Sequence, residues 1–419
     1  MSEIKLRPQL GTFDAVAIGM AAILGAGIFA VIAPAAAIAG PSLLLSLVIA
    51  AFVAFCNALS SAQLAAVFPR SGGTYEFGRR MLGPWWGYAA GWMFLAANTI
   101  GPGVIALAFG SYLHAVFGGI TARFAAIVAA AAMTAINAAG VRRSARVTDV
   151  LVILSLISLV AIVIIGLPHA ETSHFTPFSP GGISGVLRAT GLLFFAYTGY
   201  SRIATLVEEV RNPRQTIPKA TVIALGTATT LYLLVGATSV AVLTVPRLSQ
   251  SASPLADTMR AVGSAAGLAI ITAGALLTTF NEGLSDLLGV SRVAFAMGRE
   301  RDLPHSLALL GAGQNPWRSV VFVGVITVLV AAFADFGVAV AVSSFGTLLY
   351  YSVTNTSALR LKPGQRTFPR WLAIVGLVGC LGLAFSLALK DIAIGVGILV
   401  VGVIFRLIWL NRTIGRKSQ

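Results

Sequence analysis

The chain has 419 residues, of which 57% are hydrophobic and only 10% are charged, and its formal net charge is +15. No soluble core needs so much apolar surface, so the composition excludes an ordinary soluble protein. It predicts an all-α protein that crosses a membrane many times.

Long apolar runs predict about twelve transmembrane helices, because a helix needs roughly 20 apolar residues to cross about 30 Å of hydrocarbon. In chain order, the predicted spans cover residues 12–38, 41–66, 83–115, 122–140, 147–167, 184–207, 216–245, 261–290, 318–336, 338–359, 370–389 and 391–410. They form one transmembrane domain over residues 1–410. Residues 411–419 are predicted to be a cytoplasmic tail.

Basic residues give the predicted orientation. Most of the 29 Lys and Arg residues fall in alternate loops, beginning with Lys5 and Arg7 before the first span. Because positively charged loops stay in the cytoplasm, both termini are predicted to be cytoplasmic and the protein is expected in the cell membrane. The charge is spread over many loops, so it indicates topology and contact with anionic lipids rather than nucleic-acid binding.

Residues that would support other chemistry are scattered. Cys56 and Cys380 lie within spans, and the four His residues show no ligand spacing. No Walker motif, no Ser/His/Asp set and no repeated pore segment is present. We therefore expect neither a metal nor a cofactor, and neither an enzyme nor a channel. The classes of function that remain are a carrier and a nontransporting sensor with the same pocket.

The first span contains the stretch "ILGAGIFA" at residues 23–30, with glycines at Gly25 and Gly27. Residues two apart point to nearly opposite sides of a helix, so one packing face cannot use both glycines. A local break explains the pair better. A break in a membrane helix exposes N–H groups that suit a carboxylate and carbonyls that suit an ammonium group, so it suits a zwitterion.

The sixth span reads "GLLFFAYTGYSRIATLVEEVRNP", and Gly199 is its predicted break. Broken helices in corresponding positions are a feature of inverted-repeat transporters. Residues 12–167 and 184–359 are then the two halves, each with five spans, and residues 370–410 hold two accessory helices. The aromatic residues before Gly199 either pack in the core or cover the substrate.

The eighth span contains "TTFNEGLSDLLG", which places Glu282 and Asp286 one helical turn apart. Charge in hydrocarbon is costly and is usually functional or paired. One hypothesis is that Glu282 faces the interior and takes part in proton coupling or in recognition of a basic substrate. In the alternative, the cytoplasmic end begins early and the pair meets Arg292 or another loop base.

Four stretches together resemble the amino acid–polyamine–organocation (APC) family of permeases. They are "ILGAGIFA", "FPRSGGTYEFGRRMLGPWWGYAAGW" at 68–92, "FFAYTGYSRIATLVEEVRNPRQTIPKA" at 194–220 and "LLGVSRVAFAMGRERDLP" at 287–304. The resemblance implies a fold similar to that of the bacterial leucine transporter, with 5+5 inverted repeats and alternating access. It also implies an amino acid or related amine as substrate, moved by coupling to H⁺, by exchange or by coupling to another ion such as Na⁺.

The resemblance also implies roles for residues in the two broken spans. The backbone of Gly25, Ala26 and Gly27 receives the substrate carboxylate. The carbonyl of Ile23, together with Phe194 and Tyr197, receives the amino group. Phe195 matches the aromatic gate. In "EEVRNP", Glu208 and Glu209 either help to close a cytoplasmic gate or form a solvated helix end.

The fifth span departs from the family pattern. Many members carry a lysine where this chain has Ser155, so proton coupling through that lysine is not expected here. Ser155 could instead join Thr278 or Thr279 in a hydroxyl-lined Na⁺ site, or these hydroxyls bond back to their own helices. The expected function is secondary transport of an amino acid, and a cationic amino acid or polyamine carrier or exchanger is the alternative.

Overall fold

The computed structural model describes residues 11–68, 73–140, 145–200, 203, 210–311 and 316–415. These residues form α-helices joined by loops and short 3-10 turns. The α-helices are, in order, α1 (Thr12–Ile23), α2 (Ala26–Ala30), α3 (Ile32–Ala39), α4 (Leu43–Val67), α5 (Thr74–Met81), α6 (Pro84–Phe117), α7 (Ala122–Ala138), α8 (Ala145–Gly166), α9 (Gly182–Leu193), α10 (Pro213–Val242), α11 (Val245–Gln250), α12 (Pro254–Ala261), α13 (Ala265–Arg299), α14 (Trp317–Phe333), α15 (Phe336–Leu359), α16 (Arg370–Ser386) and α17 (Leu389–Gly415).

The predicted class, an all-α polytopic membrane protein, is confirmed. Eight helical stretches among the described residues are long and apolar enough to cross a membrane, and three shorter apolar helices accompany them. The sixth predicted span corresponds to α9 and the 3-10 segment Phe194–Tyr200 that follows it. Large apolar side chains stay exposed on many of these helices, as a hydrocarbon solvent allows.

The eighth span differs from its predicted bounds of 261–290. The helix α13 starts at Ala265, because Gly263 has a positive φ of 75° and Ser264 caps a new helix by accepting the Gly267 N–H at 3.0 Å. It then runs without a break to Arg299. The last helix likewise continues to Gly415, past the predicted end of the membrane domain at 410.

The ninth and tenth spans are separated by a very short turn. The helix α14 ends at Phe333, and α15 begins at Phe336. The carboxylate of Asp335 accepts the N–H of Val338 at 3.0 Å and so caps α15. Two residues, Ala334 and the N-cap Asp335, therefore separate two helices whose apolar sequences nearly merge.

Candidate functional site

The first span is interrupted where its two glycines predicted a break. The helix α1 ends at Ile23 and α2 begins at Ala26, while Leu24 and Gly25 have extended backbones. Every residue from 23 to 30 is buried. The interruption therefore leaves backbone amide and carbonyl groups free of helical bonds deep inside the protein, where they need partners.

The sixth span also departs from an α-helix, but it does so earlier than predicted. The helix α9 ends at Leu193, and residues Phe194–Tyr200 form a 3-10 segment that contains Gly199. The Thr198 hydroxyl donates to the Phe195 carbonyl at 2.9 Å, which satisfies a backbone group within this tighter turn. The change of helical type therefore begins at the aromatic run and not at the glycine.

Two of the glycines mark the points where the interrupted helices touch. A Cβ added at Gly27 would overlap the backbone and side chain of Ala196, and a Cβ added at Gly199 would overlap the carbonyl group of Ala22. Each span therefore supplies a glycine that faces the other span. The glycines permit close approach of the two backbones, in addition to the break at Gly25.

The carboxylate of Glu282 lies at the break in the first span. The N–H of Ala26 donates to Glu282 Oε2 at 2.7 Å. A Cβ added at Gly25 would overlap the same carboxyl group, so the glycine leaves the space that the carboxylate fills. Glu282 is half-buried in the middle of α13. The helix α13 continues past this residue to Arg299, and the alternative in which the cytoplasmic end begins early and the pair meets Arg292 or another loop base stays a prediction.

A second side chain bonds the other end of the break and was missed from the sequence. The hydroxyl of Tyr232, on α10, lies 2.6 Å from the Ile23 carbonyl oxygen and 3.2 Å from the Ala196 carbonyl oxygen. Its one proton is therefore directed mainly at the break of the first span and is shared with the 3-10 segment of the sixth. The available signal was a single tyrosine inside an apolar span, which is a weak one because most such tyrosines only pack.

We expect Tyr232→Phe to lower the free energy of unfolding by about 1–3 kcal/mol, because the ring is kept while buried carbonyls lose their donor. Thermal unfolding of the purified protein in detergent measures this loss. Tyr112→Phe is a matched comparison, since that hydroxyl donates to the Phe29 carbonyl at 2.7 Å. If Tyr232→Phe unfolds at the wild-type temperature, the bridge contributes nothing to stability.

The predicted aromatic residues are all buried around this crossing. The ring of Phe194 makes an edge contact with Tyr351 at 6.2 Å between centroids, and Tyr197 lies 5.3 Å from Tyr232. Phe195 faces Gly101 on α6: a Cβ added at Gly101 would lie 3.9 Å from the Phe195 ring. The same added Cβ would lie 3.6 Å from the carboxylate of Asp286. The second acidic residue of the eighth span thus lies near the residue predicted as the aromatic gate.

The hydroxyl groups considered for a Na⁺ site lie partly together. Ser155 and Thr278 share a hydrogen bond between their side chains. Ser155 also donates toward the Leu151 carbonyl at 2.8 Å, and Thr279 donates to the Ala275 carbonyl at 2.6 Å on its own helix. Within the described ranges, no three His, Cys, Asp or Glu side chains are grouped to hold a metal ion.

A cluster of charged and aromatic side chains joins three segments on the side of the basic loops. Asp302 accepts the Tyr75 hydroxyl at 2.5 Å and the Arg406 guanidinium at 3.0 Å. Arg79 lies 3.9 Å from the same carboxylate, and Arg406 also stacks over the Tyr88 ring at 4.2 Å. Burial, followed by the bond to Asp302, raises the pKa of Tyr75 above its usual range. Two of the sequence motifs that carry the resemblance therefore meet here.

The predicted cytoplasmic gate residues, Glu208 and Glu209, lie outside the described residues. The Asp302 cluster, which comprises Tyr75, Arg79, Asp302 and Arg406, was not predicted from the sequence. Tyr75 and Arg79 lie on α5, whereas Asp302 and Arg406 lie in two other segments that are far from α5 along the chain. Only the fold brings them together.

A broken first helix that contacts the 3-10 segment of the sixth span inside a polytopic bundle is the arrangement expected of a membrane transporter. A family model described as "Amino acid permease" matches residues 10–410. The chain therefore belongs to the amino acid permease family.

Three relatives illustrate the range of the family. An uncharacterized transporter of Mycobacterium tuberculosis is 43% identical over 402 residues, which cover 95% of this chain and 90% of the relative. The branched-chain amino acid permease BcaP of Bacillus subtilis is 27% identical, with 92% and 88% covered. Cationic amino acid transporter 4 of Mus musculus is 30% identical, with 86% and 60% covered.

Proposed function

We propose that this permease is a secondary active transporter that moves an amino acid across the cell membrane by alternating access. The observation that carries the proposal is the break at Leu24 and Gly25, whose amide and carbonyl groups bond to side chains of the seventh and eighth spans. Such groups can change partners as the surrounding helices move. The names of the relatives support an amino acid as the substrate.

The substrate site lies at the crossing of the first and sixth spans in this proposal. The backbone from Ile23 to Gly27 provides the polar contacts, and Phe194, Phe195 and Tyr197 provide the apolar walls. The two halves of the protein, residues 12–167 and 184–359, move relative to each other around this point. Both termini remain on the cytoplasmic side, where the Asp302 cluster holds the inner ends of the spans together in the closed state.

A cationic amino acid or polyamine is the second candidate for the substrate. Glu282 at the break and Asp286 near Phe195 bring two carboxylates to the region of the site. Negative charge favours a cationic ligand over an anionic one. The name of the relative cationic amino acid transporter 4 is consistent with this candidate.

Flux measurements test the proposed function. The purified protein is reconstituted in liposomes, and uptake of labelled amino acids and diamines is followed with imposed H⁺ or Na⁺ gradients and with a preloaded unlabelled substrate. We expect saturable uptake of at least one amino acid, and its dependence on the gradients identifies the coupling ion or exchange. Binding of an amino acid without any flux would instead identify a nontransporting sensor.

A further inference from the structure

Protein groups already bond both polar ends of the break in the first span. At the amide end, Glu282 accepts the Ala26 N–H at 2.7 Å. At the carbonyl end, Tyr232 donates to Ile23 at 2.6 Å. The amide that the family resemblance gives to the carboxylate of the substrate is therefore bonded to a carboxylate of the chain itself.

We propose that Glu282 is a resident carboxylate that determines substrate preference by competing with the carboxylate of the substrate for the amide of Ala26. A zwitterionic amino acid must displace Glu282 to use this amide. An ammonium compound that lacks an α-carboxylate does not have to displace it, and its charge is attracted to Glu282. This inference rests on the proposed function, because it concerns the same site.

The geometry indicates a specific fit between Glu282 and the break. Ala26 is the first residue of α2, so its N–H has no acceptor within that helix and needs one from elsewhere. A hydrogen bond to an ionised acceptor is stronger than a bond between neutral groups. Gly25 leaves space that any larger residue would take from the carboxylate. The site is thus shaped around a carboxylate that comes from α13.

The position of Glu282 also suits a group that can be displaced. Its side chain is half-buried, whereas Gly25, Ala26 and Gly27 are fully buried. Of these four residues, Glu282 is the one that keeps some exposure. A carbonyl oxygen has two lone pairs, so the bond from Tyr232 does not saturate the Ile23 carbonyl. An ammonium group can then approach between that carbonyl and Glu282.

Pairs of ligands that differ only in the carboxylate test the proposal. Leucine is compared with 3-methylbutylamine, and lysine with 1,5-diaminopentane, by calorimetric binding to the full-length protein in detergent. The variants are Glu282→Ala, which frees the amide, and Glu282→Gln, which keeps an oxygen acceptor and removes the charge. Glu300→Gln is the control, because Glu300 follows the far end of α13 and its side chain is 44% exposed.

We expect the wild-type protein and Glu300→Gln to bind the amine of a pair at least as tightly as the amino acid. In Glu282→Ala, the Ala26 amide is free to bond the carboxylate of the amino acid. The ratio of the two affinities should therefore shift toward the amino acid by about tenfold or more, the effect of one charge-assisted hydrogen bond. Glu282→Gln should give an intermediate shift in a protein of nearly unchanged shape.

An unchanged ratio in both Glu282 variants would overturn the proposal while leaving transport intact. A wild-type protein that binds the amino acid much more tightly than its amine would also overturn it. Flux and binding that are absent for every compound would overturn the proposed function itself, and this inference with it. Flux of amino acids in liposomes separates these cases.

Discussion

Gly199→Ala should prevent formation of a stable, active protein. The added Cβ would overlap the carbonyl group of Ala22 and the amide nitrogen of Ile23, and both are backbone atoms at the break. A backbone cannot rotate away as a side chain can, so the two interrupted spans must separate. Overpacking of a close-packed interior costs about 1–3 kcal/mol, and a backbone overlap should reach or exceed the upper value. Yield after size-exclusion chromatography and thermal unfolding measure the effect.

Alanine substitutions at two other glycines provide comparisons for the effect of Gly199→Ala. Gly226→Ala is the control, because it lies on α10 with no atom within 4 Å of the added Cβ, and alanine favours the helix. Gly25→Ala should have an intermediate effect on yield and unfolding temperature, because the atoms nearest to its added Cβ belong to the Glu282 side chain and not to a backbone. A Gly199→Ala protein with wild-type yield, unfolding temperature and uptake would show that the two backbones are not in contact during folding or transport.

Asp302→Asn should destabilise the end of the bundle that carries the Asp302 cluster. Arg406 and Asp302 are only 10% and 15% exposed, so the substitution leaves a largely buried guanidinium without its anion. Breaking a fully buried pair costs about 3–5 kcal/mol, and partial solvation and stacking on Tyr88 reduce this to roughly 2–3 kcal/mol. The fall in the unfolding temperature of the purified protein measures the cost.

Glu300→Gln is the matched control for the cluster. Glu300 lies 3.6 Å from Arg79, but its side chain is 44% exposed, so water screens the pair and the change should stay within about 0.5 kcal/mol. Equal effects of the two substitutions would mean that burial of the Arg406 pair does not matter. In that case the cluster would be a set of surface charges rather than a closure of the bundle.

The glycine pattern predicted the first break because its cause is local. The residues Gly25 and Gly27 are too close in sequence to serve one helix face, and the structure shows that they contact different partners, Glu282 and Ala196. The second break was placed at Gly199, but the helix changes type at Phe194. At that point the aromatic residues are apolar and sterically acceptable in an α-helix, so nothing local marks the change.

The partners of the break could not be predicted from the sequence with the same detail. Glu282 was singled out because charge in an apolar helix is costly, yet its contact with Ala26 depends on how α13 packs beside the first span. Tyr232 gave no comparable signal. The Asp302 cluster combines a loop helix, a loop and the last span, and neither periodicity nor charge in any one of them indicates the others. Local rules predicted the interruption, and tertiary packing decided what fills it.

The length of α13 has a mechanical consequence. Its 35 residues give a rod of about 52 Å, which is longer than the hydrocarbon layer, and about 26 Å of it separate Glu282 from Arg299. If the helix moves as a rigid body, a tilt of about 5° around Glu282 displaces Arg299 by about 2 Å. That travel is comparable to the length of an ion pair. Replacement of one carboxylate by another at the break can therefore be transmitted as strain on the contacts of Asp302, the third residue past the tip.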